Sequence, residues 1–405
     1  MRKITSGSKL FIIIIVGSLS VATVAAAWLI KDSLNEAGES LIKESEQKMI
    51  EADVDTISVD TDGNIVTSDP ENFNLMGRFF LKEKDGVSFH TSVWSGAEIE
   101  FGFTGTQAWC YLYGEEEISD LKGVYAGVYI DNSDEPYQII CVTEPDWYKV
   151  ADDIENKEHT VRIVKHSEAF GGRLGFSEIR VTAPGKINKA PPVKEFKLEI
   201  IGDSITAGYG NMADSAHDPF RINQENIYLT YGAILARRME ARAHYLAWSG
   251  IGVLQNNDGR QINTMPKIYE ITAPGVNRDR WDFSSYVPDM IIVNLGTNDM
   301  ASNADPEKFK NAYIGFIGLI RDKNPEALIF CTMGVMGVRL VPAMEEAVED
   351  IRTKGDNKVF SIPLHQQQGS DGYGADGHPS LVTHAKMAEY LFDEISRIRG
   401  TYEQK

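Results

Sequence analysis

From Phe196 onward, short apolar runs alternate with amphipathic segments, and this alternation constrains the fold more than any other feature. "FKLEII", "HYLAW", "MIIVNLG", "ALIFCTM" and "KVFSI" read as strands. "ENIYLTYGAILARRMEARA", "PEKFKNAYIGFIGLIRDK", "PAMEEAVEDIRTKG" and "SLVTHAKMAEYLFDEISRI" read as helices. In the first, Ile227, Tyr231, Ile234 and Leu235 fall on one face. Strands alternating with helices predict an α/β domain, a parallel sheet covered on both faces. In such sheets the working residues sit on loops beyond the carboxyl ends of the strands.

The preceding stretch has a different texture. From about 72 to 185 the apolar period is two: Ile99, Phe101 and Phe103 in one run, Val124, Ala126, Val128 and Ile130 in another. Turn residues separate the runs at "DNSDEP", "IENKEH" and "FGGR". Many short strands without helical periods predict a β-sandwich. "APPV", residues 190–193, marks a boundary. The expected organisation is an N-terminal segment 1–30, a polar stalk 31–71, a sandwich 72–189 and an α/β domain 194–402.

No charge interrupts Leu10 to Ile30, and a short basic segment precedes that run. Its length suits a membrane-spanning anchor, although Ala25–Ala27 leave cleavage of a signal segment open. Either way, export is expected, with the bulk of the chain outside the cytoplasm. The 405-residue chain carries a net charge of −19, which disfavours a nucleic-acid partner. The three cysteines, Cys110, Cys141 and Cys331, show no metal-like spacing and read as small buried residues, with a Cys110–Cys141 disulfide as the minor alternative.

Four loops of the α/β half carry chemistry: "GDSITAGYG", "SGIG", "GTND" and "DGYGADGHPS". Together they supply the parts of an acyl-transfer site. A serine hydroxyl needs an imidazole to take its proton, and the imidazole needs an acceptor on its other nitrogen. The oxyanion needs preset donors. Ser204 is the expected nucleophile, His378 its base and Asp376 the group orienting His378. The N–H groups of Ser204 and Gly250 and the amide of Asn298 are the expected oxyanion donors, with Gly252 an alternative to Gly250.

These four blocks, in this order, resemble those of the SGNH, or GDSL, hydrolases over residues 196–400. The resemblance implies a three-layer, flavodoxin-like fold and assigns Ser204, Gly250, Asn298 and His378 to the active site. Many members place an aspartate three residues before the histidine, but here Ala375 stands there and Asp376 lies two before. That spacing, with "MGRFF", "VWSGAEIEFGFTGT" and "HTVRIVKHSEAFGG" upstream, resembles carbohydrate esterase family 2. The latter resemblance implies a jelly-roll-like sandwich, activity on O-acetyl groups of plant polysaccharides, and a backbone carbonyl as an alternative to Asp376.

Rival readings are weaker. "GYGNMA" fits G-x-G-x-x-A of a dinucleotide site but starts several residues after the strand and leads into a loop. Ser249 is a competing serine. Asp203 and Asp299 are expected to bond local backbone, and His384 to be structural. Trp94, Trp109 and Trp147 are expected in the sandwich core, with sugar stacking at the junction as the alternative for an exposed one. No H-E-x-x-H or tight metal-ligand cluster occurs, so no metal or cofactor is expected. The expected partner is an acetylated polysaccharide or oligosaccharide, besides the membrane. An SGNH lipase or thioesterase and a non-catalytic glycan-binding protein are the competing functions.

Overall fold

The computed structural model describes residues 57–116 and 123–402. The expected N-terminal anchor or signal and nearly all of the stalk lie outside them.

Among the described residues thirteen strands precede the α/β half: β1 (Ile57–Val59), β2 (Ile65–Thr67), β3 (Phe73–Met76), β4 (Phe80–Lys84), β5 (Val87–Ser92), β6 (Glu98–Gly105), β7 (Ala108–Glu116), β8 (Val124–Ile130), β9 (Gln138–Val142), β10 (Asp146–Ala151), β11 (Lys157–Lys165), β12 (Gly172–Val181) and β13 (Lys186–Ile187). They form two antiparallel sheets. One runs β1-β2-β12-β5-β4 with β7 and β10 attached through β12; the other runs β13-β6-β11-β8-β9 with β3 on β6. The period-two residues meet between them. Ile99, Phe101, Phe103, Val128 and Val161 of one sheet share an apolar cluster with Leu112, Leu174, Phe176 and Val181 of the other. Burying one face of each sheet is what makes the alternation necessary.

The five strands that follow are β14 (Lys197–Gly202), β15 (Arg242–Ala247), β16 (Met290–Asn294), β17 (Leu328–Met333) and β18 (Val359–Pro363). All pair in parallel, in the order β15-β14-β16-β17-β18. Numbered along this half, that is 2-1-3-4-5, the doubly wound order of a flavodoxin-like sheet. Seven α-helices accompany them among the described residues: α1 (Ser204–Ala207), α2 (Tyr231–Arg238), α3 (Met265–Ile268), α4 (Thr297–Ala301), α5 (Pro306–Lys323), α6 (Val341–Thr353) and α7 (Leu381–Tyr402). Helices α2 and α7 cover one face through Leu235, Leu391 and Ile395 against Leu198, Ile200 and Ile292. Helices α5 and α6 cover the other through Phe316, Ile317 and Met344 against Ile201, Val293 and Ile329. Helix α5 spans the range its pattern predicts: Asp305 caps Lys308 N at 3.0 Å, Pro306 opens it, and Phe309, Tyr313, Phe316 and Ile320 make its buried stripe.

Two expectations need correction. The helix expected over "ENIYLTYGAILARRMEARA" is interrupted. Asn226 Oδ1 accepts from Tyr228 N (2.9 Å), and Thr230 Oγ1 donates to Ile227 O (2.8 Å). These local bonds draw Ile227–Leu229 into a 3₁₀ turn before α2 begins. At the other end Glu240 takes a left-handed φ of 51°, and the chain enters β15. Second, Cys141 is not one of the buried cysteines, and the minor alternative, a disulfide to Cys110, does not form either. Cys110 is buried between the sheets, whereas Cys141 is exposed, because it shares the outward register of β9 with Ile139.

The described residues from Ile57 onward form one compact unit, and buried polar contacts join its two halves. Arg78 is 1% exposed. It donates to Glu199 Oε1 on β14 at 3.3 Å, to Tyr269 O and to Ile271 O, and lies among the rings of Tyr269, Trp281 and Phe283. Trp94 is buried and donates from its indole nitrogen to Thr272 O at 2.9 Å.

Candidate active site

Ser204 begins α1, directly after β14. Asp203 caps this one-turn helix by accepting from Ile205 N at 3.0 Å, and Gly208, at φ 90°, ends it. The turn is tight. A Cβ on Gly202 would lie 1.9 Å from Thr206 Oγ1, so only glycine fits there. The same geometry removes the dinucleotide reading, since Gly208 closes a helix instead of opening one.

His378 reaches Ser204 from a loop far along the chain. Its Nε2 lies 2.9 Å from Ser204 Oγ. Its Nδ1 lies 3.1 Å from Ala375 O. A carbonyl only accepts, so Nδ1 holds the proton and Nε2 of the neutral ring is left to accept from the serine. Burial holds the His378 pKa below the ordinary 6.5, against the opposing pull of the Ala375 carbonyl and the Asp376 charge.

Asp376 is not brought onto the imidazole. Its Oδ2 accepts from the Tyr209 hydroxyl at 2.9 Å. Asp376 sits at a left-handed φ of 51°, in a 3₁₀ turn that offers the preceding carbonyl to His378 instead. Tyr209, which the sequence reading did not single out, packs against the His378 ring at 4.3 Å between centroids and stacks on Phe220 at 4.1 Å. Ala375 N also donates to Gly210 O (3.0 Å). The "GYG" after the nucleophile thus seats the histidine loop.

The expected oxyanion donors line one cavity. Gly250 lines the cavity beside Ser204 with φ 79°, where a Cβ would crowd the Asn257 side chain. Gly252 is otherwise engaged: its N–H donates to Asn256 Oδ1 at 3.1 Å. Among the described residues, neither the Ser204 nor the Gly250 N–H donates a hydrogen bond. Asn298, in α4, is buried and lines the cavity. Its Nδ2 donates to Ile251 O at 2.8 Å and to Asp203 Oδ2 at 3.2 Å. Burial, with the charges of Asp299 and Glu168, raises Asp203 to about 7. Asp299 accepts from the N–H groups of Val253, Leu254 and Gln255 at 2.7–2.9 Å and so shapes the "SGIG" loop. Ser249 has no histidine; its hydroxyl is held by Glu168. His384 is buried in the core, accepting from Tyr231 N at 3.2 Å.

Ser204, Gly250, Asn298 and His378 open into a cavity of about 860 Å³. One wall comes from the long irregular stretch between β15 and β16, including Asn257, Lys267 and Arg278. Phe170, from the sandwich, and Trp248 complete it. Trp109 and Trp147 are half-buried and flank Arg180, away from this cavity. Among the described residues no group of three or more His, Cys, Asp or Glu is placed to hold a metal ion.

Residues 200–385 match the GDSL-like lipase/acylhydrolase family, and residues 75–191 match the carbohydrate esterase 2 N-terminal family. A family two carbohydrate esterase from Clostridium thermocellum, solved with cellohexaose, superimposes with a TM-score of 0.74 at 35% identity, over 81% of this chain and 99% of that one. The chain belongs to the family two carbohydrate esterases. It is also 36% identical over 344 residues to cellulase/esterase CelE of Acetivibrio thermocellus, a match that covers 82% of this chain and 40% of that protein. This family two chain thus spans about two fifths of that relative's length. An acetylxylan esterase/glucomannan deacetylase of Cellvibrio japonicus is 24% identical over 82% of this chain and 90% of its own length.

Proposed function

We propose that this family two member is a serine esterase that removes O-acetyl groups from polysaccharides of the xylan and glucomannan type. The observation that carries the reading is the Ser204 Oγ to His378 Nε2 contact of 2.9 Å, with Nδ1 turned to a carbonyl. The curated relatives named above support the substrate class.

In this mechanism His378 takes the Ser204 proton while Oγ attacks the acetyl carbon. The tetrahedral oxyanion lies on the N–H groups of Ser204 and Gly250 and on the Asn298 amide. Asn298 reaches it by loosening its longer bond, to Asp203. Collapse expels the sugar oxygen, which takes the proton from Nε2. Water then attacks the acetyl-enzyme with His378 again as base, releasing acetate and restoring Ser204. The imidazolium is steadied by the Ala375 carbonyl dipole, with Asp376 acting at longer range.

The apolar run Leu10–Ile30 supports an exported location, anchored in a membrane by that segment or released by its cleavage. A jelly-roll-like connection of the two antiparallel sheets completes the reading.

The test is turnover of an activated acetate ester by the wild type and by Ser204→Ala. A loss of about 10⁶-fold is expected; undiminished turnover in folded Ser204→Ala sinks the proposal. Acetate release from acetylated xylan, glucomannan and pectin then ranks the substrates. Faster cleavage of octanoyl than of acetyl esters would favour a lipase instead.

A further inference from the structure

We infer that Glu168, a residue of the sandwich, is a positioning residue for the oxyanion site: it clamps Ser249 and through it orients the adjoining Gly250 N–H. The inference rests on the reading of Gly250 as an oxyanion donor.

Glu168 lies in the connection between β11 and β12 and is fully buried. It crosses from the sandwich to the loop after β15. Oε1 accepts from the Ser249 hydroxyl, and Oε2 lies 3.4 Å from Ser249 N. The peptide that follows Ser249 carries the Gly250 N–H. Gly250 has no Cβ and a positive φ, so little in its own chemistry fixes that peptide plane. Two anchors do so from either side. Glu168 holds Ser249 before it, and Asn257 N donates to Gly250 O at 2.9 Å after it.

A buried carboxylate is costly, and a simple turn needs none. Here it is compensated from both halves of the molecule. Lys165, fully buried, donates from Nζ to Ser167 O at 2.7 Å and to Glu168 O at 2.9 Å. Glu225, from the α/β half, accepts from Glu168 N at 2.7 Å, and the two carboxyl groups also meet. Burial raises the pKa of both carboxyl groups, that of Glu225 well above the carboxylate range, while the bonds from Ser249 and the Lys165 charge pull Glu168 the other way. Burial lowers Lys165 to about 8. The mechanism uses none of these three groups directly, and Ser249 links them to the cavity.

A clamp of this kind differs measurably from mere adhesion between the halves. Misplacing an oxyanion donor weakens transition-state binding and leaves substrate binding alone. Ser249→Ala, Glu168→Ala, Glu168→Gln and the double alanine variant are compared on an activated acetate ester, with Ser204→Ala as the reference for the esterase reading. Ser249→Ala and Glu168→Ala are each expected to lower kcat about 10- to 100-fold, with KM within about twofold. The double variant should lose no more than the worse single variant, since both changes break one link. Glu168→Gln keeps an oxygen acceptor and should stay within about threefold of wild type. Unchanged kcat in Ser249→Ala, multiplying losses in the double variant, or a Gln variant as impaired as the Ala variant would overturn the inference. If Glu168→Ala does not fold, Ser249→Ala and Glu168→Gln decide the matter. Turnover that survives Ser204→Ala refutes the esterase reading instead.

Discussion

The two halves of the molecule divide the labour of one site. The parallel-sheet half supplies the groups proposed for the chemistry: Ser204, Gly250, Asn298 and His378, each beyond the carboxyl end of a strand. The antiparallel half supplies constraint. Trp94 bonds Thr272, Arg78 bonds Tyr269 and Ile271, and Phe170 lines the cavity. Apart from the turn α3 and an isolated bridge, the wall that these residues hold, between β15 and β16, has no regular structure of its own. A parallel sheet leaves its working loops at one edge with nothing to cover them. Here a second domain takes on the covering.

The comparison breaks if a residue of the first kind behaves like one of the second. Asn298→Ala should lower kcat about 10²- to 10³-fold with little change in KM, because one oxyanion donor is lost. Steady-state kinetics on an acetate ester check this, and a pure KM effect would make Asn298 a substrate-shaping residue. Arg78→Met should behave oppositely. It leaves Glu199 buried without its cation and should cost about 3–5 kcal/mol of stability. Denaturant unfolding measures that loss, while kcat of the folded fraction should stay near wild type.

The smallest effects sharpen the role of the histidine. Burial favours neutral His378, so its pKa lies below the ordinary 6.5. Protonation removes the base, so kcat/KM should hold as pH falls through 6.5 and drop only below it. Asp376 raises the His378 pKa by its charge. Asp376→Asn should therefore shift the acid limb to still lower pH, with kcat reduced less than about tenfold. A triad acid would cost about 10⁴-fold on the same change. The pH profile of the variant separates the two.

Much of this was legible in the sequence because it is local. Strand and helix periods come from near neighbours, so α5 spans its predicted range, and the two textures mark two kinds of sheet. The nucleophile turn was legible for the same reason: Gly202, Asp203, Ser204 and Gly208 shape it within seven residues. The interrupted helix before β15 was not, since Asn226 and Thr230 compete with helical bonds in a way an apolar stripe does not reveal. Nor was the orientation of Cys141, which depends on the register of an edge strand.

Taken alone, the sequence determined the order of elements, the four loops and the residue types they carry. Tertiary structure decided which partner each of those residues finds. It set Ala375 O, not Asp376, on His378; it gave Gly252 to Asn256 and left Gly250 facing the cavity. It also joined Glu168 to Ser249 and Arg78 to Glu199, 81 and 121 positions apart. The physical reason is that backbone preference acts over a few residues. A hydrogen bond between buried side chains exists only once packing has brought both groups out of water and fixed their directions.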